Sequence, residues 1–264
     1  MIPFEYRIPY KYGESFRLKP LGDIHLGNTY CDVAALKEYL SDSDEHTRIL
    51  GLGDMIDAVV TKDIKRYMKH SDGTKRDDVV DEQVDWMYEI LAPYKELIIG
   101  LMDGNHEHTI VKYHGSNPNR RLCEKLGCQH LGYSCLGNLR FRENEGRART
   151  VTIRAHHGWG GGSRTLGADL TKYSKDMAYY DADIFIYGHV HRRQSDTFPR
   201  LSLSGTRLIA KPRHLFICGT FLKTLSLTTD ATYSEISGYP PTAIGGVNIT
   251  IKPDNNWVKI ESDV

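Results

Sequence analysis

Long apolar runs are missing from this sequence, and none approaches the ~18 residues that a membrane-spanning helix needs. Net charge is missing too. Lys and Arg number 34 against 34 Asp and Glu, so no whole-molecule field draws the chain onto nucleic acid or a membrane, although a local basic groove would still be compatible. The first residues, Met-Ile-Pro-Phe-Glu-Tyr-Arg, lack the basic head and apolar body of a secretory signal, which makes a cytoplasmic setting the default expectation. Cysteine is sparse, with five residues at irregular spacing, and reduced thiols are the simplest reading. Cys123, Cys128, His130 and Cys135 could form a zinc cluster, but the Cys123–Cys128 gap lies at the loose end of zinc spacing. No repeat and no linker is evident, so a single domain over residues 1–264 is expected.

What is present is a series of short apolar runs, each followed by a turn rich in Asp, Asn or His. Leu97 to Leu101 reads as a buried strand ending at a Gly104 turn, which delivers Asn105, His106 and Glu107 into whatever crevice the sheet opens. Phe16 to Leu21 leads into Asp23-Ile24-His25, and Arg48 to Gly53 leads into Asp54 and Asp57. Thr150 to Ala155 runs into His156-His157-Gly158, and Asp183 to Tyr187 ends in Gly188-His189-Val190-His191. Between them, helical spacing marks Val33 to Leu40, Val80 to Leu91 and the stretch holding Leu170, Tyr173 and Met177. Asn117-Pro118 starts a further helix that Gly127 closes. Lys62 to Arg76 reads as a basic surface loop or short helix, Leu131 to Phe141 as a strand joined to the next by a turn at Glu143–Gly146, and Leu201 to Val264 as β-rich. Helices alternate with strands first and consecutive strands come later, which predicts two packed sheets flanked by helices.

The strand-end residues share one chemistry. Asp23, His25, Asp54, Asn105, His156 or His157, His189 and His191 offer carboxylate, imidazole and amide oxygen without thiolate. That donor set suits Mn(II), Fe or Zn over soft ions. Residues i and i+2 of an extended segment point the same way, so Asp23 with His25, and His189 with His191, are each expected to aim at one spot. The number of donors suffices for two ions sharing a bridging carboxylate.

These blocks resemble the five motifs of the calcineurin-like metallophosphoesterases: Asp23-Ile-His25, Gly53-Asp54, Gly104-Asn105-His106-Glu107, a His before Gly158, and Gly188-His189-Val-His191. The resemblance implies an α/β class fold, a four-layer α/β/β/α sandwich of two mixed sheets flanked by helices. It further implies two divalent metal ions, manganese first, with iron, zinc or nickel as alternatives. By the same resemblance Asp23, His25, Asp54 and His191 would hold one ion, and Asp54, Asn105, His189 and His157 (or His156) the other, with Asp54 bridging. A metal-bridging hydroxide would attack phosphorus, His106 would protonate the leaving oxygen, and Asp57 would orient His106.

Two departures bear on the substrate. Ala58 and Asp103 stand where the protein phosphatases of this family carry phosphate-binding arginines, which weakens a phosphoprotein substrate. The basic residues of Lys62–Arg76, with Arg120, Arg121, Arg164, Arg192 and Arg193, are candidates to meet phosphates. Of these, Arg192 and Arg164 are the expected substrate-binding residues. His157 to Gly162, and Gly238 to Gly245, resemble phage-encoded members, for which the setting would be the host cytoplasm. The expected activity is a phosphodiesterase or nuclease acting on DNA, other nucleic acid or nucleotides. A phosphomonoesterase is the alternative within enzymes, and a non-catalytic binding module of the same fold the alternative outside them.

Overall fold

The computed structural model describes residues 1–59, 79–142, 148–226, 231–253 and 258–263. The basic segment Lys62–Arg76 and the turn Glu143–Gly146 therefore lie outside the described residues.

Three short apolar runs form the centre of one mixed sheet: β2 (Phe16–Leu21), β3 (Thr47–Gly51) and β4 (Ile98–Leu101). They lie parallel and almost wholly buried, as near-continuous apolar strands must when both faces are covered. The second sheet begins with β1 (Ile2–Pro9), whose alternation buries Phe4 and Ile8. It continues through β6 (Ser134–Arg142), β7 (Ala148–His156), β8 (Ile184–Tyr187), β9 (Arg193–Ser204) and β10 (Arg207–Cys218). Its order is β1-β6-β7-β8-β10-β9. With β5 (Gln129–His130), β11 (Asn248–Lys252) and β12 (Lys259–Asp263), the first sheet has the order β12-β11-β2-β3-β4-β5. Both sheets mix parallel and antiparallel pairs.

Burial sorts the chain into layers. Leu18, Leu50 and Ile99 of one sheet meet Leu139, Phe141 and Ile153 of the other in a central core. The far face of the first sheet is covered by α1 (Val33–Ser41), α2 (Val79–Leu91) and α4 (Pro118–Leu126), through Leu36, Leu40, Val84, Met87 and Leu122. The far face of the second carries Tyr173 of α5 (Ala168–Ser174), packed on Phe185, Tyr187, Leu215 and Ile217. The four-layer α/β/β/α sandwich follows from these contacts. No described helix is long and apolar enough to cross a membrane.

Three features differ from the sequence expectations. Asn105 does not sit in a turn but opens α3 (Asn105–His114), with Gly104 as its N-cap. β1 has no counterpart in the sequence reading. The hairpin β9–β10 is much longer than expected: it turns at Gly205–Thr206 and pairs Pro199 with Pro212, Leu201 with Ala210 and Leu203 with Leu208. β10 joins β8 only from His214 to Ile217, so the outer hairpin extends as a free ribbon. One face of that ribbon shows Leu201, Leu203 and Leu208 to solvent.

Candidate metal centre

Loops leaving β2, β3, β4, β7 and β8 converge at one end of the sandwich, the usual ligand end of such sheets. The backbone there is held in uncommon conformations. Asp23, His25, Asp54, His189 and His191 all have positive φ, between 50° and 73°, and Ala58 is the only other described non-glycine residue that does. Left-handed conformers cost an L-residue roughly 1–3 kcal/mol and persist where surrounding structure imposes them. Here the imposing groups are visible. Ile24 and His25 donate their N–H groups to Asp54 O at 2.9 and 3.0 Å, and Asp23 donates to Gly53 O at 3.1 Å. Gly53 and Gly104 allow two loops to touch, since a Cβ on Gly53 would lie 2.3 Å from Gly104 N. Buried Glu107 ties them together by accepting N–H donors from Asp54, Met55, Ile56 and Gly104 at 2.7–3.2 Å.

The side chains gather into groups whose donor atoms lie within 4.8 Å of one another: Asp23 with His25 and His191, Asp54 with His157 and His189, and His25 with Asp57 and His106. Asp54 Oδ2 lies 3.9 Å from His25 Nε2 and 3.4 Å from His157 Nε2, between the first two groups. Asn105 Oδ1 faces both His157 Nε2 (2.9 Å) and His189 Nδ1 (2.8 Å). The i, i+2 argument holds for Asp23 and His25 but fails for His189 and His191, which enter different groups. These pairs lie on left-handed turns rather than on extended strands, so period-two alternation does not govern them.

Electrostatics reinforces the grouping. Burial, opposed by His157 and reinforced by Asp54, pushes the Asp23 carboxyl up to about 6. Asp54 is held well below the carboxylate range, because His157 and His106 outweigh its burial. Burial works against charge on His157, yet Asp54 beside it raises that imidazole to about 10. Burial first, then neighbouring imidazoles, lower His189 to about 4 and take His191 well below its usual value. His189 and His191 are thus neutral rings with free lone pairs, the form a cation needs, whereas on His157 a cation must displace the proton that Asp54 favours.

The residues present fit divalent cations. Asp23 Oδ1 and His25 Nδ1 are buried without a hydrogen-bond partner, and His25 Nε2 faces His191 Nε2 at 3.1 Å. The two unpartnered atoms are costly in a buried site unless a positive centre meets them, whereas one ring of the His25–His191 pair can donate to the other. The ring atoms turned away from the centre are anchored: His157 Nδ1 contacts Leu52 O at 2.8 Å and His106 Nδ1 contacts Asp57 O at 2.5 Å, the supporting shell that metal-ligating histidines require. Asp57 Oδ1 lies 3.5 Å from His106 Nδ1 and 3.6 Å from His25 Nδ1, so it faces both rings rather than His106 alone. Asn28, which donates to Asp57 Oδ2 at 3.3 Å, carried no sequence signal.

Other candidate residues lie elsewhere. His156 ends β7 and points away from the cluster; its Nδ1 accepts Gly158 N–H at 2.8 Å, and its ring packs edge-on against Tyr133 and Trp159. Of the doubled histidine, His157 is the member that joins a metal-capable group. Arg192 reaches the cleft wall, but its guanidinium is buried and engaged by Ser163 O, Thr165 O and Asp169. Arg164 is exposed and donates to Ser237 O and Gly238 O. Both arginines cross-link loops in this structure. Cys123, Cys128, His130 and Cys135 do not form a metal-capable group among the described residues: His130 pairs with Asp103 at 2.8 Å and Cys135 contacts Met102.

No family model matches this sequence, and no curated protein matches it. Solved structures do align along its length. A metallophosphoesterase from Sphaerobacter thermophilus is 13% identical over 95% of this chain and 89% of its own, with a TM-score of 0.40. Vps29 from Chaetomium thermophilum is 11% identical over 94% of each chain, TM-score 0.41. GAP50, the anchor in the inner membrane complex of Plasmodium, is 12% identical over 94% of this chain and 84% of its own, TM-score 0.43. At such low identity and TM-score, nothing about activity or partners passes from these proteins to this chain.

Proposed function

We propose that the chain is a calcineurin-like metallophosphoesterase, one domain over residues 1–264, that hydrolyses phosphate esters and prefers diesters. The observation that carries this reading is the convergence of donors from five separate loops around Asp54 Oδ2, with His106 beside them. Asp23, His25, Asp54 and His191 would hold one cation, and Asp54, Asn105, His157 and His189 a second. When bound, the two cations, Mn(II) first, supply the Lewis acidity that lowers the pKa of water and offsets charge on the phosphoryl oxygens.

The remaining chemistry falls to His106. Its Nδ1–H is directed at Asp57 O, which turns Nε2 toward the cleft. The Asp57 and Asp54 carboxylates, 3.5 and 4.0 Å away, stabilise a doubly protonated ring. Nε2–H can then pass to the departing alkoxide, leaving a neutral imidazole. The diester preference has a charge argument. A diester carries one negative charge and a monoester up to two. The positions that carry arginine in the family's protein phosphatases hold buried Ala58 and an Asp103 engaged by His130.

The test is hydrolysis of bis(p-nitrophenyl) phosphate, p-nitrophenyl phosphate and single-stranded DNA with Mn(II), with and without chelator. Cleavage of a diester that chelation abolishes is expected, with cleavage of DNA marking a nuclease. His106→Asn is expected to cut turnover of an alkyl diester by about 10²–10⁴-fold, with less effect on the nitrophenyl ester, whose leaving group needs no proton. A protein that binds no metal and cleaves none of these would instead be a binding module.

A further inference from the structure

A cavity of about 730 Å³ opens above the donor cluster. Its floor is the cluster itself. Its outer wall is built by a segment far along the chain, through Leu222, Ile236, Tyr239 and Pro240. That wall is fastened to the centre. Thr220 Oγ1 and Phe221 N both donate to Asp23 O, at 2.8 and 3.0 Å. Farther out, Thr232 Oγ1 donates to Thr224 O at 2.6 Å, and Thr242 N donates to Thr224 Oγ1 at 3.1 Å. Arg164 closes the loop by donating to Ser237 O and Gly238 O, with its guanidinium 5.9 Å from the Tyr239 ring centroid. Ile236, held in this frame, is nevertheless 74% exposed and lines the cavity.

The charges of the cleft complete the picture. Among the described residues lining it, the cations are Lys223 and Arg192. Lys223 is paired with Asp32 at 3.1 Å, and Arg192 is used by Ser163, Thr165 and Asp169. A ligand with several phosphates would find no array of free cations on the walls formed by the described residues, whereas an apolar or flat group would find a preformed surface.

We propose that the cleft selects a phosphate diester bearing an apolar or aromatic group, seated against Leu222, Ile236, Tyr239 and Pro240, with Ile236 and Tyr239 setting the preference. This rests on the phosphoesterase reading and adds the substrate class to it. An aryl group and a nucleobase share the required chemistry.

Two measurements test it. The first compares kcat/KM for diesters with one leaving group and different retained groups: bis(p-nitrophenyl), thymidyl p-nitrophenyl and methyl p-nitrophenyl phosphate, each corrected for its uncatalysed rate. The aryl ester, the thymidyl ester or both should exceed the methyl ester by at least about tenfold, chiefly through KM, given what small apolar groups are worth in a fitted pocket. Which of the two leads identifies the aryl group or the base. Ile236→Asp and Tyr239→Ala should each shrink that ratio severalfold. A wild-type ratio near one, or a ratio unmoved by both substitutions, overturns the inference. The second measurement is calorimetric binding of the inert diphenyl and dimethyl phosphates. Tighter diphenyl binding that Ile236→Asp abolishes supports the wall even if no ester is cleaved, an outcome that would overturn only the hydrolase reading. Equal binding of the two overturns the wall.

Discussion

His156 and His157 are neighbours in sequence and opposites in environment. At the end of β7, consecutive side chains leave opposite sides of the sheet, so only one of the pair can face the centre. His157 meets Asp54 and Asn105, while His156 is turned onto Tyr133 and Trp159. His157→Ala should therefore weaken Mn(II) binding, measured calorimetrically, by more than the roughly 10–100-fold that loss of a supporting partner costs. His156→Ala should leave it unchanged, and equal losses would reverse the assignment. The donor types were readable from the sequence because hydrogen-bonding chemistry belongs to the side chain alone. Their grouping came from the family resemblance and not from spacing, because it depends on left-handed dihedrals at Asp23, His25, Asp54, His189 and His191 that long-range contacts impose.

At the scale of elements, the strands β2, β3, β4 and β8 were evident as short apolar runs between turns, and α1, α2, α4 and α5 as amphipathic or capped stretches. α3 was not, because Asn105-His-Glu-His108 is polar on every side and the preceding Gly104 suggested a turn. Its first turn is held by Glu107 instead, which joins α3 to the loop after β3. Burial and Asp54 push that carboxyl up to about 7, against the four N–H donors that favour its ionised form. Glu107→Gln keeps the shape but sets an amide N–H₂ against backbone donors. With charged hydrogen bonds worth about 1.5–3 kcal/mol and a buried unsatisfied group costing about 1–3, a loss of roughly 2–4 kcal/mol is expected in urea unfolding. A loss under about 1 kcal/mol would show that the loops are held by other contacts. The C-terminal wall of the cleft was not legible as a wall: Gly238 to Gly245 stood out only as a resemblance, and Leu222, Ile236 and Tyr239 matter through where the fold carries them.

For the molecule as a whole, the sandwich was inferable from element order, and its stability should depend on pH through groups remote from the centre. His214 of β10 is one, with Thr197 Oγ1 3.1 Å from Nδ1 and Nε2 buried without a partner. Burial, opposed by Asp183, lowers its pKa below the usual value. Unfolded, the ring takes up a proton near pH ~6.5; folded, it does so only at lower pH. Its contribution is thus complete above about pH 6.5 and is lost as pH falls through the folded value, with a slope of up to about 1.4 kcal/mol per pH unit. His214→Asn should flatten that limb of the stability profile by at most one proton's worth, as followed by urea unfolding at stepped pH.

The free ribbon carries a liability that its register disarms. Two prolines cannot exchange N–H···O bonds, so Pro199 and Pro212 must form one of the rungs that β9 and β10 leave unbonded. The missing N–H of each then points outward, one to either flank of the ribbon, on strands that would otherwise offer a template to a neighbouring molecule. Leu201, Leu203 and Leu208 would make such strand addition adhesive. Restoring both donors with Pro199→Thr and Pro212→Thr should produce assemblies that grow with concentration in light scattering more steeply than those of the parent protein. If the scattering stays flat, something other than these two rings keeps one copy from stitching to the next.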